Sequence, residues 1–213
     1  AVETLSARIV AALNAVAPVL DRRGREGRVR RCHGDLHLRN ICLWNDTPTL
    51  FDAIEFNDTF AVIDTLYDLA FLLMDLDQRG FRRLASIIMN HILEHDPDIE
   101  GLSLLPVFLA MRASIRAHIS ATMARDSDDP AHGQELRRRA LSYLDRAFSY
   151  LAPPPPRLIA VGGFSGGGKS RMAVGGWIGG EGGSLSLAES ARSGEGTPKF
   201  SAKFWEPQDN IAP

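Results

Sequence analysis

The chain has 213 residues, of which 45% are hydrophobic, and its 24 basic and 26 acidic side chains give a formal net charge of −2. These values are typical of a soluble globular protein of one to two domains, and they give no support to nucleic-acid binding. No apolar run is expected to span a bilayer, and the first residues lack the basic-then-apolar order of a secretory signal. We therefore expect a cytoplasmic protein without a membrane or nucleic-acid partner. The absence of an initial Met predicts a fragment or processed piece.

Apolar side chains recur every three to four residues in several long segments, a spacing that predicts amphipathic helices. These helices are expected over residues 3–22, 62–78, 81–94, 102–125 and 131–151. Short strands are predicted on both sides of a polar loop at residues 33–40, the first over residues 29–32, and a further strand over residues 49–52. The sequence therefore predicts a mostly helical α+β fold.

Three polar side chains follow these short apolar runs. Asp35 and Asn40 are separated by four residues after the run at 29–32, and Asp52 ends the run that follows a predicted turn at residues 45–48. Carboxylate and amide groups at strand ends suit a site that holds a hard cation and accepts a proton. The alternative is that all three residues only cap turns between strands.

The order His33-Gly-Asp-Leu-His37, then Asn40, Asp52 and Tyr67-Asp-Leu-Ala70 resembles the catalytic and metal loops of the protein-kinase-like fold. It is most similar to the aminoglycoside phosphotransferases, whose loop reads His-Gly-Asp-Leu-His-x-x-Asn. The resemblance implies a small-molecule kinase that transfers the γ-phosphoryl group of ATP to a hydroxyl of a sugar or aminoglycoside-like acceptor.

The same resemblance implies a role for each matching residue. Asp35 corresponds to the catalytic base, and Asn40 and Asp52 correspond to the ligands of Mg²⁺. The remaining matching positions are implied to give structural support, and they are His33, His37 and Asp68. In particular, Asp68 is implied to brace the catalytic loop by accepting backbone N–H bonds.

The distribution of lysine limits this interpretation. All three lysines lie at or after residue 169, whereas a protein kinase needs a strand lysine upstream of its catalytic loop. We therefore expect residues 1–152 to be a large lobe without its small lobe, inactive alone. The alternative is a non-catalytic remnant. Arg112 and Arg116 are expected to border the acceptor pocket, which disfavours a polycationic aminoglycoside.

A second motif follows a stiff linker of four prolines at residues 153–156. Residues 157–161 predict a buried strand, and residues 163–170 match the Walker A pattern of a P-loop. Such a loop binds ATP phosphates through backbone N–H groups and a lysine, with a serine on Mg²⁺. The predicted cofactor-binding residues are Gly163, Gly166, Gly167, Gly168, Lys169 and Ser170. The alternatives are a glycine-rich linker, or a P-loop nucleotide hydrolase whose only working site is Lys169.

The sequence after the P-loop motif does not continue the pattern. Glycines interrupt the helix that should follow, no acidic Walker B strand is visible, and residues 171–213 are expected to form a degenerate or disordered tail. The order of a phosphotransferase-like lobe, a proline hinge and the P-loop start at residues 157–170 resembles a bacterial two-domain family. In that family an aminoglycoside-phosphotransferase-like domain is joined to a P-loop kinase-like ATP-binding domain.

Overall fold

The structure, a computed structural model, describes residues 2–152 and, beyond them, only the backbone of three short strands. The described residues form α-helices α1 (Val2–Arg25), α2 (Asp58–Ala61), α3 (Thr65–Gln78), α4 (Arg82–His95), α5 (Leu105–Arg125) and α6 (Pro130–Tyr150). The strands are β1 (Val29–Arg31), β2 (Ile41–Trp44), β3 (Thr47–Leu50), β4 (Val62–Asp64), β5 (Arg157–Ala160), β6 (Ser186–Ala188) and β7 (Phe200–Lys203). Two 3-10 helices span Leu38–Asn40 and Glu100–Leu104. The prediction of a mostly helical α+β fold is confirmed.

The chain divides into two compact units. One comprises residues 1–81 and 98–152, and the other comprises residues 82–97 and 153–213. The second unit contains α4 and an antiparallel sheet in which β7 lies between β5 and β6. The predicted boundary at residue 152 is one of the breaks in this division, but α4 groups with residues 153–213 rather than with the first unit, and the predicted domain assignment stays a prediction.

Helix α3 is the central element of the first unit. Eleven of its 14 residues are buried, since the segment from Leu66 to Leu76 is apolar on nearly all sides. Helices α5 and α6 place fully buried alanines in this core, including Ala113 and Ala147. Small side chains let helix backbones approach closely, so α5 packs against both α3 and α6.

Two small sheets lie before α3, and both differ in their bounds from the prediction. β1 pairs antiparallel with β4, with Arg31 opposite Val62, so the helix predicted from residue 62 begins only at Thr65. The reason is the Asp64 side chain, which accepts the Leu66 N–H at 2.8 Å and caps α3. β2 pairs with β3 through a two-residue turn at Asn45 and Asp46, both at positive φ.

The strand predicted over residues 49–52 is displaced by two residues. β3 begins at Thr47 and ends at Leu50, because the tight turn uses only two of the four residues predicted for it. Asp52 therefore lies beyond the strand rather than at its last position, in an irregular segment that leads to α2.

The C-terminal predictions are tested only in part. The strand predicted over residues 157–161 is confirmed in its backbone as β5. β6 and β7 lie within the predicted degenerate or disordered tail at residues 171–213, and they pair with each other; the expectation for the tail stays a prediction. Long-range antiparallel pairing of such short strands leaves little trace in local periodicity. The proline linker at 153–156, the P-loop residues at 163–170 and the rest of the tail lie outside the described residues.

Two helical stretches correct the expectation that no segment could span a membrane. By length and composition alone, Val2–Arg25 and Glu100–Arg125 are long and apolar enough to do so. The second stretch is 56% buried inside the fold, as the core helix of a soluble protein would be. The first lies near the N-terminus, where signal sequences pass the same test. The cytoplasmic location stays a prediction.

A buried ion-pair network ties α1 to the start of α3. Arg23 is 2% exposed, and its Nε and Nη2 atoms donate to the two carboxylate oxygens of Asp64 at 2.7 and 2.8 Å. Its Nη1 atom donates to Asp98. The fork-shaped guanidinium satisfies both acids at once, so their desolvation is offset by paired hydrogen bonds. This network holds β4 and the first turn of α3 against α1.

Replacing Arg23 by Ala is expected to destabilise the protein by about 3–5 kcal/mol, because the buried Asp64 carboxylate is left without its partner. Denaturant unfolding measures the change. Arg25→Ala is the matched control, since Arg25 is an exposed residue on the same helix, and it should change stability by less than about 0.5 kcal/mol. Equal losses for the two variants would contradict a structural role for the network.

Candidate active site

The polar loop at residues 33–40 is held by one buried carboxylate. The Asp68 oxygens Oδ2 and Oδ1 accept the backbone N–H groups of His33 and Gly34, each at 3.0 Å. Asp68 lies in the first turns of α3 and is 6% exposed. These are the backbone hydrogen bonds that the resemblance implied for Asp68, and they fix the start of the loop to the central helix.

Gly34 is required at its position for two reasons. Its φ of +82° lies in the left-handed region. A Cβ atom there would also lie 2.9 Å from Ile54 Cδ1 and 3.1 Å from the Phe60 carbonyl oxygen. The loop thus turns sharply under the segment that leads from β3 to α2.

Asp35 and Asn40 are brought together. The Asn40 Nδ2 atom donates to the Asp35 backbone oxygen at 3.0 Å and to Asp35 Oδ2 at 3.2 Å. His37 Nε2 lies 3.4 Å from the same Oδ2 atom. Asn40 and His37 are buried, whereas the Asp35 side chain is 42% exposed. The contacts to Oδ2 thus orient the Asp35 carboxylate. Its Oδ1 atom accepts no hydrogen bond from the described residues.

His33 and Asn40 connect the loop to the segment that carries Asp52. His33 Nε2 lies 2.8 Å from the Phe51 carbonyl oxygen, and the His33 carbonyl accepts the Ile54 N–H at 2.9 Å. The Phe51 N–H donates to the Asn40 carbonyl at 3.1 Å. Asp52 lies between Phe51 and Ile54 in the sequence, and both of these residues are hydrogen-bonded to the loop. The backbone of Asp52 is therefore fixed beside Asn40.

The Asp52 side chain is accessible at the surface. Asp52 has no hydrogen-bond or ion-pair partner within the described part of the chain, and its φ is +61°. A non-glycine residue in this region stores strain that its surroundings must maintain. No three His, Cys, Asp or Glu side chains of the described residues converge on a metal site. A backbone hydrogen bond from Phe51 to Asn40 links the two segments that carry the Asp52 carboxylate and the Asn40 amide, and a magnesium site needs only one or two protein ligands besides water and phosphate.

Arg112 does not border an open acceptor pocket, which corrects the expectation for this residue. It is 6% exposed, its Nε atom donates to the Tyr67 carbonyl at 3.2 Å, and its Nη2 atom lies 3.8 Å from Asp68 Oδ1. Its guanidinium carbon is 3.9 Å from the Tyr67 ring centroid. All of these contacts are with residues of α3, so the Arg112 side chain packs against α3 beside Asp68.

Burial dominates the electrostatics of this pair. Desolvation raises the pKa of the Asp68 carboxyl, although the His33 and Gly34 N–H groups and Arg112 act against the rise. Desolvation also lowers the pKa of the Arg112 guanidinium, against the effects of Tyr67, Asp68 and Asp35. Both shifts reflect the cost of charge in the interior. Each side chain is therefore held by its hydrogen bonds to backbone groups as well as by attraction between the two.

Asp75 is a supporting residue that the sequence reasoning did not assign. Its Oδ2 atom accepts the Leu38 N–H at 3.1 Å, and it is 4% exposed. Asp68 and Asp75 are seven residues apart, which is two helical turns, so they project from the same face of α3. This spacing of two acids in an otherwise apolar helix was the available signal. The two carboxylates hold both ends of the loop.

Comparison with known proteins identifies similar chains without a described activity. The chain is 31% identical over 151 residues to an uncharacterized protein of Mycobacterium tuberculosis, Rv2004c, and equally to one of Mycobacterium bovis, Mb2027c. The matched segment is 71% of this chain and 29% of each relative, so the chain spans less than a third of the curated relatives it matches. No family model matches the chain. No solved structure matches it either.

The tight fit of Gly34 can be separated from the cost of its backbone conformation. Gly80 has the same φ of +82° but nothing within 4 Å of an added Cβ. Gly80→Ala should cost about 1–2 kcal/mol for the left-handed backbone alone. Gly34→Ala should cost about 1–3 kcal/mol more, because Ile54 and the Phe60 carbonyl must move. Denaturant unfolding measures both, and equal losses would contradict the close packing of the loop.

Proposed function

We propose that the first 152 residues are the large lobe of a small-molecule kinase, which acts with ATP and Mg²⁺ on a hydroxyl group. The observation that carries this proposal is the loop anchored by Asp68, in which Asn40 orients Asp35 and is itself hydrogen-bonded to the segment of Asp52. Phosphoryl transfer depends mainly on positioning and charge neutralisation, and this arrangement supplies one group for each task.

Asp35 is the proposed base. Its Oδ1 atom accepts the hydrogen bond of the acceptor hydroxyl, while Asn40 and His37 hold Oδ2. As the acceptor oxygen forms its bond to the γ-phosphorus, the bond from that phosphorus to the β–γ bridging oxygen breaks and ADP leaves. The hydroxyl proton passes to Asp35 and then to solvent.

Asn40 and Asp52 are the proposed ligands of Mg²⁺, which when bound would neutralise charge on the phosphates. The Nδ2 group of Asn40 is occupied by Asp35, so the amide oxygen remains for a cation. The unpartnered carboxylate of Asp52 completes a donor set of the kind that Mg²⁺ prefers. The P-loop residues from Gly163 to Ser170 are proposed to bind nucleotide separately.

Metal binding tests this assignment directly. Mn²⁺, a paramagnetic substitute for Mg²⁺, is titrated into the Lys169→Ala protein, so that the P-loop is weakened, and bound ion is measured by electron paramagnetic resonance. Asp52→Asn should weaken binding roughly tenfold, as expected for one lost charge-assisted contact. Asp46→Asn is the matched control, because Asp46 is also exposed and has a φ of +58°. Unchanged binding in Asp52→Asn would refute the metal assignment.

The 213-residue chain alone is expected to show little phosphoryl transfer to a panel of sugars and aminoglycosides. No lysine precedes the Asp35 loop in this sequence, and positioning of the reactants contributes about 7–11 kcal/mol to lowering the barrier. Turnover of Mg-ATP is compared for the wild type, Asp35→Asn and Lys169→Ala. Robust turnover that Asp35→Asn abolishes would show that this lobe works alone. Turnover lost only in Lys169→Ala would favour the alternative of an ATP-binding P-loop module.

A further inference from the structure

A cavity of about 410 Å³ lies between the 3-10 helix at Leu38–Asn40 and helices α3, α5 and α6. All of its lining residues belong to the first compact unit. Asp35, Asn40 and Asp52 do not line it, although Arg39 of the same loop and Asp75, which holds that loop, do. Its volume is that of a pocket for a small molecule.

The lining of this cavity is strongly cationic. Two carboxylates, Asp75 and Glu135, face five guanidinium groups, which belong to Arg39, Arg79, Arg116, Arg138 and Arg139. The whole chain is slightly acidic, with a net charge of −2. The lining thus carries more basic than acidic side chains, opposite to the balance of the whole chain.

Only some of these arginines are neutralised. Arg79 Nε lies 3.2 Å from Asp75 Oδ1, and Arg138 Nη2 lies 2.8 Å from Glu135 Oε2. Both carboxylates are therefore already engaged, and the Arg116 guanidinium lies 6.0 Å from an aromatic ring. Arg39 and Arg139 have no hydrogen-bond or ion-pair partner among residues 2–152.

An excess of like charge in a concave site is unfavourable unless an anion compensates it. Guanidinium groups bind phosphate and carboxylate oxygens through paired hydrogen bonds. We propose that this cavity binds a small molecule that carries two or more negative charges, with Arg39 and Arg139 as its principal ligands. The proposal does not depend on phosphoryl transfer, because it uses neither Asp35 nor the metal ligands.

Binding of two probes tests the proposal and distinguishes the anion class. Inorganic pyrophosphate represents phosphates and citrate represents carboxylates, and each is titrated by calorimetry into the Lys169→Ala chain with EDTA present. These conditions remove metal-dependent binding and weaken the P-loop. Saturable binding of either probe is expected, and the tighter probe indicates the class of the natural ligand.

Substitutions locate the binding. Arg139→Gln and Arg39→Gln should each weaken binding of the tighter probe about tenfold, as for a lost charge-assisted contact. Arg137→Gln, an exposed arginine on the same helix that does not line the cavity, should leave binding unchanged. Asp35→Asn should also bind normally, which separates this result from the fate of the proposed kinase function.

Two outcomes would overturn the proposal. One is the absence of saturable binding for both probes. The other is an equal loss of affinity in Arg137→Gln and Arg139→Gln, which would indicate general surface attraction. Thermal unfolding of each variant without a probe verifies the fold, and no loss is expected because neither Arg39 nor Arg139 has an ion pair to lose among the described residues.

Discussion

The first unit depends on a carboxylate that is buried to hold backbone rather than to meet a cation. Asp68 accepts two consecutive N–H groups of the loop, which would otherwise be buried without partners at a considerable cost. Arg112 lies behind it at a distance longer than a hydrogen bond. The buried polar groups therefore satisfy one another's hydrogen bonds. If any one of them is removed, the remaining groups stay buried without their partner.

Two further buried acids of helix α3 also accept hydrogen bonds from groups outside the helix. Besides Asp68, it buries Asp75, which accepts the Leu38 N–H, and Asp77, which accepts the Tyr150 hydroxyl at 2.5 Å. A helix that is otherwise apolar thus carries three buried acids, each with a defined partner outside the helix. Apolar packing places the helix, and the acids then specify which segments may lie against it. The polar loop and the C-terminal helix α6 are positioned by the same element.

The sequence predicted local features well and long-range pairing poorly. The long helices were predicted to within a few residues, because their apolar periodicity is a local property. The error at residues 62–64 arose because that strand pairs with β1, more than thirty residues earlier. β6 and β7 were missed for the same reason. The Asp35–Asn40 contact followed from their short spacing, whereas the burial of Arg112 depends on how α5 packs on α3, which a single sequence does not encode in readable form.

Burial changes in a regular order across the candidate site. Asp68 and Asn40 are buried, Asp35 is partly exposed, and Asp52 is exposed and held at positive φ. Of the three groups proposed to meet substrate or metal, Asp35 and Asp52 reach the surface, whereas Asn40 is buried and also orients Asp35. A site built in this order is rigid on its inner side and open on its outer side. If the proposed kinase function holds, the group that aligns the phosphates would approach from the outer side, because the residues that face inward already hold the loop.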